Sequence, residues 1–138
     1  MIVEKENIVR MYKDYVRAFQ TLEASAVLPF YHVPFMSVSS REVRVLASPA
    51  EIENSFARNM EYLKKRNYTR TEIIDLDVRQ MSQDLALVGV GLERYTADGE
   101  QLQPGTIYAY TYTLRKVDDH WKIVVAMAHD PETIVRTA

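Results

Sequence analysis

One segment of the chain carries three tyrosines at alternating positions. Tyr108, Tyr110 and Tyr112 lie two residues apart within the run 106–114. Successive side chains of a β-strand point to opposite faces, so this spacing predicts a strand that presents three phenol rings together. Phenols can donate hydrogen bonds to a carbonyl or pack on a planar ligand, and they can equally pack as core residues. The row is therefore a candidate cavity wall, with core packing as the open alternative.

The histidines are the residues best suited to acid–base chemistry near neutral pH. His129 ends the last predicted strand, and His32 follows Tyr31 near the first one. Each is a candidate base in a cavity or, alternatively, a structural residue. The histidine spacing matches no metal-binding motif and cysteine is absent, so we expect neither a metal site nor a disulfide.

Two glutamates are the remaining candidates for acid–base chemistry. Glu72 and Glu93 are predicted to lie opposite each other, toward the rim of the tyrosine face. Paired carboxylates can work as acid and base if their proximity separates their pKa values. The alternative is that they point into solvent, or that Arg70 or Arg94 neutralises them.

The composition predicts one globular domain over residues 1–138. Net charge is -2, with 47% hydrophobic and 26% charged residues. There is no basic patch for nucleic acid, no apolar run that spans a membrane, and no glycine loop for a phosphate cofactor. The first residues do not resemble a signal peptide. We expect a cytoplasmic protein without a cofactor.

Apolar spacing predicts helices over 4–20 and 22–28, the second capped by Thr21, and a third helix that begins after Ser48. The sequence Ser-Pro-Ala-Glu from residue 48 is a capping box with proline at the first helical position. Two short strands are predicted between the second and third helices, at 33–39 and 41–46.

The second half of the chain predicts an antiparallel sheet. The strands are 69–81, 85–96, 102–116 and 121–129, joined by turns at residues 82–83, 98–99 and 118–119. Two-residue turns fix the pairing, and a slip of one residue would invert a face. This pairing places Tyr108 opposite Gly89 and His129, Tyr110 opposite Leu87 and Met127, and Tyr112 opposite Leu85 and Val125, with Trp121 and Ile123 on the same face.

The other face of this predicted sheet carries smaller apolar residues. Three helices can cover one face of a long sheet but not both, and an exposed apolar patch usually marks an interface. Two-fold pairing is the commonest closed assembly, so we expect a homodimer. The expected interface residues are Val88, Val90, Leu92, Ile107, Ala109, Val124 and Ala126.

The order of elements resembles the nuclear transport factor 2-like superfamily, over nearly the whole chain. Residues 114–124, Leu-Arg-Lys-Val-Asp-Asp-His-Trp-Lys-Ile-Val, are similar to the closing hairpin of that superfamily. The resemblance implies an α+β cone of the cystatin-like kind, in which three N-terminal helices pack on a strongly curved, mostly antiparallel sheet. It also implies a pocket at the open end and dimerisation through the sheet. Isomerase-like members place an acidic base on the first strand, whereas residues 33–40 contain no carboxylate.

Three functional hypotheses follow. The first is binding of a small, largely apolar molecule, with no catalytic residue assigned. The alternative is an isomerase, dehydratase or cyclase that uses His129 or His32 as base and a tyrosine to polarise a carbonyl. The third is a structural association module whose interior is filled by side chains. The expected pocket residues are Tyr15, Tyr31, His32, Tyr108, Tyr110, Trp121 and His129.

Overall fold

Three helices precede most of the sheet, as the sequence predicts. The structure is a computed structural model and describes residues 2–131. Helix α1 spans Lys5–Gln20, α2 spans Ala24–Val27 and continues as a 3-10 turn over Leu28–Phe30, and α3 spans Pro49–Lys65. The strands are β1 Tyr31–Val38, β2 Val43–Leu46, β3 Tyr68–Ser82, β4 Leu85–Thr96, β5 Tyr108–Val117 and β6 His120–His129.

The six strands form one mixed, curved sheet in the order β2-β1-β6-β5-β4-β3. Neighbouring strands are antiparallel except for β1 and β6, which run parallel. The helices cover one side of the sheet. We call that side the inner face and the opposite side the outer face.

Local sequence signals explain two of the helices. Helix α1 buries Ile8, Tyr12, Val16 and Phe19, which recur every three or four residues and so form one apolar stripe. At the start of α3, the Ser48 hydroxyl accepts a hydrogen bond from the Glu51 N–H at 3.2 Å, as the capping-box prediction requires.

The prediction for the second helix is wrong in its start and in its cap. Thr21 closes α1 instead, because its N–H donates to the Ala18 carbonyl at 3.2 Å. Leu22 then takes a positive φ of 57°, which interrupts helical geometry before α2 begins.

The predicted pairing of β4 with β5 is wrong by three residues. The chain does turn near Gly99, where the Thr96 N–H donates to the Glu100 carbonyl at 2.8 Å. The pairing with β4 is then interrupted around Pro104, which has no N–H to donate, and Gly105, whose φ is +75°. Strand β5 therefore starts at Tyr108, which pairs with Leu92. An odd shift reverses the faces of β4.

The predicted pairing of β5 with β6 is correct near the turn and wrong further along the strands. Asp118 and Asp119 both have positive φ, as a tight two-residue hairpin turn requires. Leu114 pairs with Ile123, in agreement with the predicted register. A bulge then intervenes, so that Tyr112 pairs with Ala126. Beyond the bulge, each β6 side chain therefore lies on the face opposite to the predicted one.

These two shifts overturn most of the predicted dimer interface. Val88, Val90 and Leu92 are buried in the core on the inner face, where they pair with the tyrosines. Ala126 joins them opposite Tyr112. These residues pack inside the chain and cannot contact a partner. The other three predicted interface residues do not lie on the inner face. Ile107 is exposed just before β5, and Ala109 is buried and pairs with Gly91. Val124 lies at the bulge in β6.

No helix within residues 2–131 is both long enough and apolar enough to cross a membrane.

Candidate ligand cavity

A cavity of about 400 Å³ lies between α1, α3 and the inner face of the sheet. This volume is in the lower part of the range of about 300–1,000 Å³ that small-molecule sites occupy. Strand β5 contributes Tyr110 and Tyr112, because alternate residues of a strand share a face. The other aromatic rings of the lining are Tyr12, Tyr15, Phe19, Tyr31, Phe35 and Phe56. The hypothesis of a purely structural module predicts that side chains fill this space.

Two pairs of phenols fix the rings of this wall. The hydroxyls of Tyr12 and Tyr112 are hydrogen-bonded at 3.0 Å, and those of Tyr15 and Tyr31 at 2.5 Å. Burial raises the pKa of all four phenols well above the ordinary tyrosine value. They remain protonated at neutral pH, so they can donate hydrogen bonds but cannot act as bases.

Arg94 is the charged residue that the cavity holds most deeply. Its guanidinium carbon lies 4.5 Å from the centroid of the Tyr108 ring and 5.6 Å from that of Phe19. The Nε atom is buried and has no hydrogen-bond partner among residues 2–131. Burial alone would lower the pKa of Arg94, but nearby phenols, Tyr110 first, raise it. The guanidinium therefore stays charged.

Arg94 is not among the predicted pocket residues, although the sequence contains a signal for it. Val88, Val90, Leu92 and Arg94 form one alternating series. An arginine that continues the apolar face of a strand must lie beside the core. The series was assigned to the wrong face because the β4–β5 register was wrong.

The two glutamates face away from the cavity. Glu72 and Glu93 pair directly, as predicted, but they lie on the outer face rather than the inner one. Arg70 forms an ion pair with Glu72. The Glu93 carboxylate accepts hydrogen bonds from the Tyr95 hydroxyl at 3.0 Å and from the Gln101 amide at 2.7 Å. Arg94 neutralises neither glutamate.

The solvent side of the cavity is polar and basic. Arg58 of α3 is exposed, and the Nε atom of Arg44 in β2 lies 3.9 Å from a Glu42 oxygen, a long contact for an ion pair. Ser37 and Asn59 also line this side. Within the part of the chain that the structure describes, no aspartate, glutamate or histidine lines the cavity.

Three of the seven predicted pocket residues line the cavity: Tyr15, Tyr31 and Tyr110. Tyr108 does not line the cavity, but its ring contacts the guanidinium of Arg94, which does. Trp121 is buried elsewhere and borders a shallow groove on the far side of α1.

The two candidate histidine bases lie outside the cavity. His32 is half-buried; its Nδ1–H donates to the Pro34 carbonyl at 2.9 Å, and its Nε2 accepts from Arg115 at 3.2 Å. The His129 ring lies on the outer face, with Nε2 at 2.8 Å from the Thr111 hydroxyl. The bulge between β5 and β6 accounts for this, because it places His129 opposite Ala109 instead of Tyr108.

Helices on the inner face of a curved sheet, with a cavity between the two layers, define an α+β cone of the cystatin-like class. The chain belongs to the family described as NTF2-like protein (DUF6841), which matches residues 4–131. The resemblance to the nuclear transport factor 2-like superfamily is thereby confirmed. No curated protein is detectably similar to the sequence.

Several solved structures share this fold. An NTF-2 like protein of unknown function from Shewanella oneidensis is 18% identical with a TM-score of 0.71, over 91% of this chain and 98% of that one. A cystatin-like protein of unknown function from Nostoc punctiforme is 11% identical with a TM-score of 0.73, over 95% and 94%. A candidate dehydratase of the NTF2-like family from Streptomyces avermitilis is 17% identical with a TM-score of 0.67, over 89% and 92%. At these identities the likeness shows the fold alone.

Proposed function

We propose that this protein binds a small, largely apolar molecule in the cavity between α1, α3 and the inner face of the sheet. The observation that carries this proposal is a void of about 400 Å³ lined by aromatic rings. Cavities that hold small molecules have this size, and they combine aromatic and aliphatic surface with polar groups that orient the ligand. Tyr15, Tyr31 and Tyr110 are the ligand contacts that the sequence and the geometry both support.

Binding without catalysis fits the lining better than the enzyme alternative does. A base must come within hydrogen-bond distance of the proton that it abstracts. His32 and His129 are engaged outside the cavity, and the buried phenols hold their protons too tightly to act as bases. Among residues 2–131, the lining offers hydrogen-bond donors and apolar surface rather than a base.

Filling the cavity is expected to weaken the binding of an apolar probe. Ala126 lines the cavity, so Ala126→Phe places a ring in the space that a ligand would occupy. We expect the affinity for the neutral fluorophore N-phenyl-1-naphthylamine to fall by roughly tenfold or more, equivalent to about 1.4 kcal/mol. Fluorescence titration of the purified protein measures this change.

The matched control is Val45→Phe. Val45 is 61% exposed on the edge strand β2 and is not among the lining residues, so the same ring added there leaves the cavity unchanged. Equal probe affinity in Ala126→Phe and in the unmodified chain would place the probe elsewhere and contradict the proposal.

We also propose a homodimer, formed through the outer face of β4, β5 and β6. The helices leave this face uncovered, and Met127 and Ile107 are exposed on or beside it. Leu87 of β4 and Val125 of β6 both pair with Thr113 of β5, and both are half-buried on the same face. Exposed apolar residues on an uncovered sheet face typically mark an interface between proteins. Of these four residues, only Ile107 belongs to the predicted set, because the register differs from the predicted one.

A charge on the outer face is expected to dissociate the dimer. Met127→Glu would bury an unpaired carboxylate in the interface, which is strongly unfavourable. Light scattering at micromolar concentration should then change from twice the chain mass to the chain mass of 16.0 kDa. Val45→Glu, at a 61% exposed position on the edge strand β2, is the control and should stay dimeric. A monomeric unmodified chain would reject the proposal.

The cytoplasmic location expected from the sequence stays a prediction. Cell fractionation with an antibody against this chain would test it.

A further inference from the structure

We propose that the molecule bound in the cavity carries an anionic group, a carboxylate, and that the guanidinium of Arg94 binds it. This inference rests on the proposed function, since it concerns the same cavity. It adds the chemical class of the ligand: an organic acid with an apolar body.

Among residues 2–131, the lining around Arg94 supplies no carboxylate and no acceptor for its buried Nε atom. Burial of a charge is costly unless the charge is paired and hydrogen-bonded. The rings of Tyr108 and Phe19 offset part of that cost through cation–π contact. They offer no hydrogen-bond acceptor to the buried Nε atom, which has no partner within residues 2–131. A carboxylate in the cavity would supply both the countercharge and the acceptor.

The nearest acidic residue along the chain cannot supply them. Glu93 is adjacent to Arg94, but successive residues of a strand face opposite ways. Its two carboxylate oxygens are already held on the outer face by Tyr95 and Gln101.

The rest of the lining points to the same ligand charge. Arg44 and Arg58 stand at the solvent side of the cavity, where a concave apolar surface concentrates the field of the charges around it. In the described part of the chain, no acidic side chain of the lining opposes these three arginines. An anion would be attracted to the entrance and held further in.

Two features favour a carboxylate on an apolar body over free inorganic phosphate. The guanidinium is planar and matches the two oxygens of a carboxylate with parallel hydrogen bonds. Most of the remaining lining residues are aromatic or aliphatic, and such surface suits an apolar body better than a compact, heavily hydrated ion. Tyr110, which also lines the cavity, can donate a further hydrogen bond to the acid.

A matched pair of probes tests this inference by calorimetric titration. The probes are 2-naphthoate and 2-naphthamide, which share one ring system and differ in charge. The unmodified chain should bind 2-naphthoate more tightly by roughly tenfold to a hundredfold, the range expected for hydrogen bonds to a charged group. Arg94→Met should abolish this preference and leave the affinity for 2-naphthamide within about twofold.

The control for the charge change is Arg79→Met. Arg79 is exposed on β3 next to Val78, whose side chain is on the inner face, so Arg79 faces outward. This variant should keep the full preference for 2-naphthoate. Arg94→Lys is a second variant in case Arg94→Met misfolds. Lysine keeps the positive charge but lacks the planar guanidinium, so this variant should retain a reduced preference for 2-naphthoate.

The outcomes separate this inference from the proposed function. Equal binding of 2-naphthoate and 2-naphthamide by the unmodified chain would overturn the anion assignment but leave an apolar ligand in place. Inorganic phosphate that binds as tightly as 2-naphthoate would also overturn it, in favour of a simple anion site. Loss of N-phenyl-1-naphthylamine binding only in Ala126→Phe supports the cavity independently of Arg94.

Discussion

Leu114→Ala is expected to lower the free energy of unfolding by about 2–5 kcal/mol. Leu114 is 0% exposed on the inner face of β5, in the cluster that joins the helices to the sheet. Its truncation removes apolar contacts and leaves a void that rigid neighbouring elements cannot fully close. Urea unfolding, followed by the fluorescence of the single tryptophan, Trp121, measures the change.

Leu85→Ala is the matched control for that experiment. Leu85 begins β4, pairs with Arg115 and is 42% exposed. The same substitution there should change the stability by no more than about 0.5 kcal/mol, as is usual at surface positions. Equal losses in the two variants would contradict the inner-face position of Leu114, and with it the orientation of Tyr110 and Tyr112 toward the cavity.

The features that the sequence predicted correctly are those that a few neighbouring residues determine. The apolar stripe of α1 recurs at helical spacing, and Ser48 caps α3 with its own side chain. Asp118 and Asp119 form the last hairpin turn because aspartate tolerates positive φ better than most residues do. The long antiparallel strands follow from β-branched and aromatic residues between such turns. Each signal acts within a few residues, so each can be read without the rest of the chain.

The pairing between strands could not be predicted in the same way. Residues 97–107 combine a tight turn with an excursion around Pro104, and only the folded sheet shows which part ends the ladder. The bulge opposite Thr113 is likewise set by how the sheet curves around the helices. A register error of odd size inverts a whole face. For that reason Val88, Val90 and Leu92 lie on the inner face instead of the outer one, while the tyrosine row faces the helices as predicted.

The residues of the candidate site also divide into those that local signals predict and those that depend on the whole fold. Tyr15 and Tyr110 could be predicted because they belong to strongly periodic segments that must face each other. For Arg94, the alternation along β4 indicates only a position beside the core, and its importance depends on which groups surround it in the fold. A sequence shows that an arginine is present, but it does not show whether a carboxylate reaches it. Among the described residues, Glu93 is the neighbour expected to do so, and the structure places it on the other side of the sheet.

Arg94→Met is expected to raise the stability of the ligand-free protein by about 1 kcal/mol or more. Replacement of buried charged groups by apolar side chains of similar size is often stabilising, because the desolvation of the charge is removed. Methionine has a similar length, and its sulfur packs well against rings such as those of Tyr108 and Phe19. The lost cation–π contacts, about 0.5–2 kcal/mol, limit the gain. Urea unfolding of both chains without ligand measures the difference.

Arg79→Met, at the exposed outward-facing position, should leave the stability within about 0.5 kcal/mol of the unmodified chain. A loss of stability in Arg94→Met would show that the charge of Arg94 is compensated within the folded protein, so that no ligand is needed to pair with it. A gain in stability together with a lost preference for 2-naphthoate would show that the folded chain retains a destabilising charge because its ligand uses it. Such an exchange of stability for binding is typical of functional sites. It would distinguish a site for an organic acid from an imperfectly packed core.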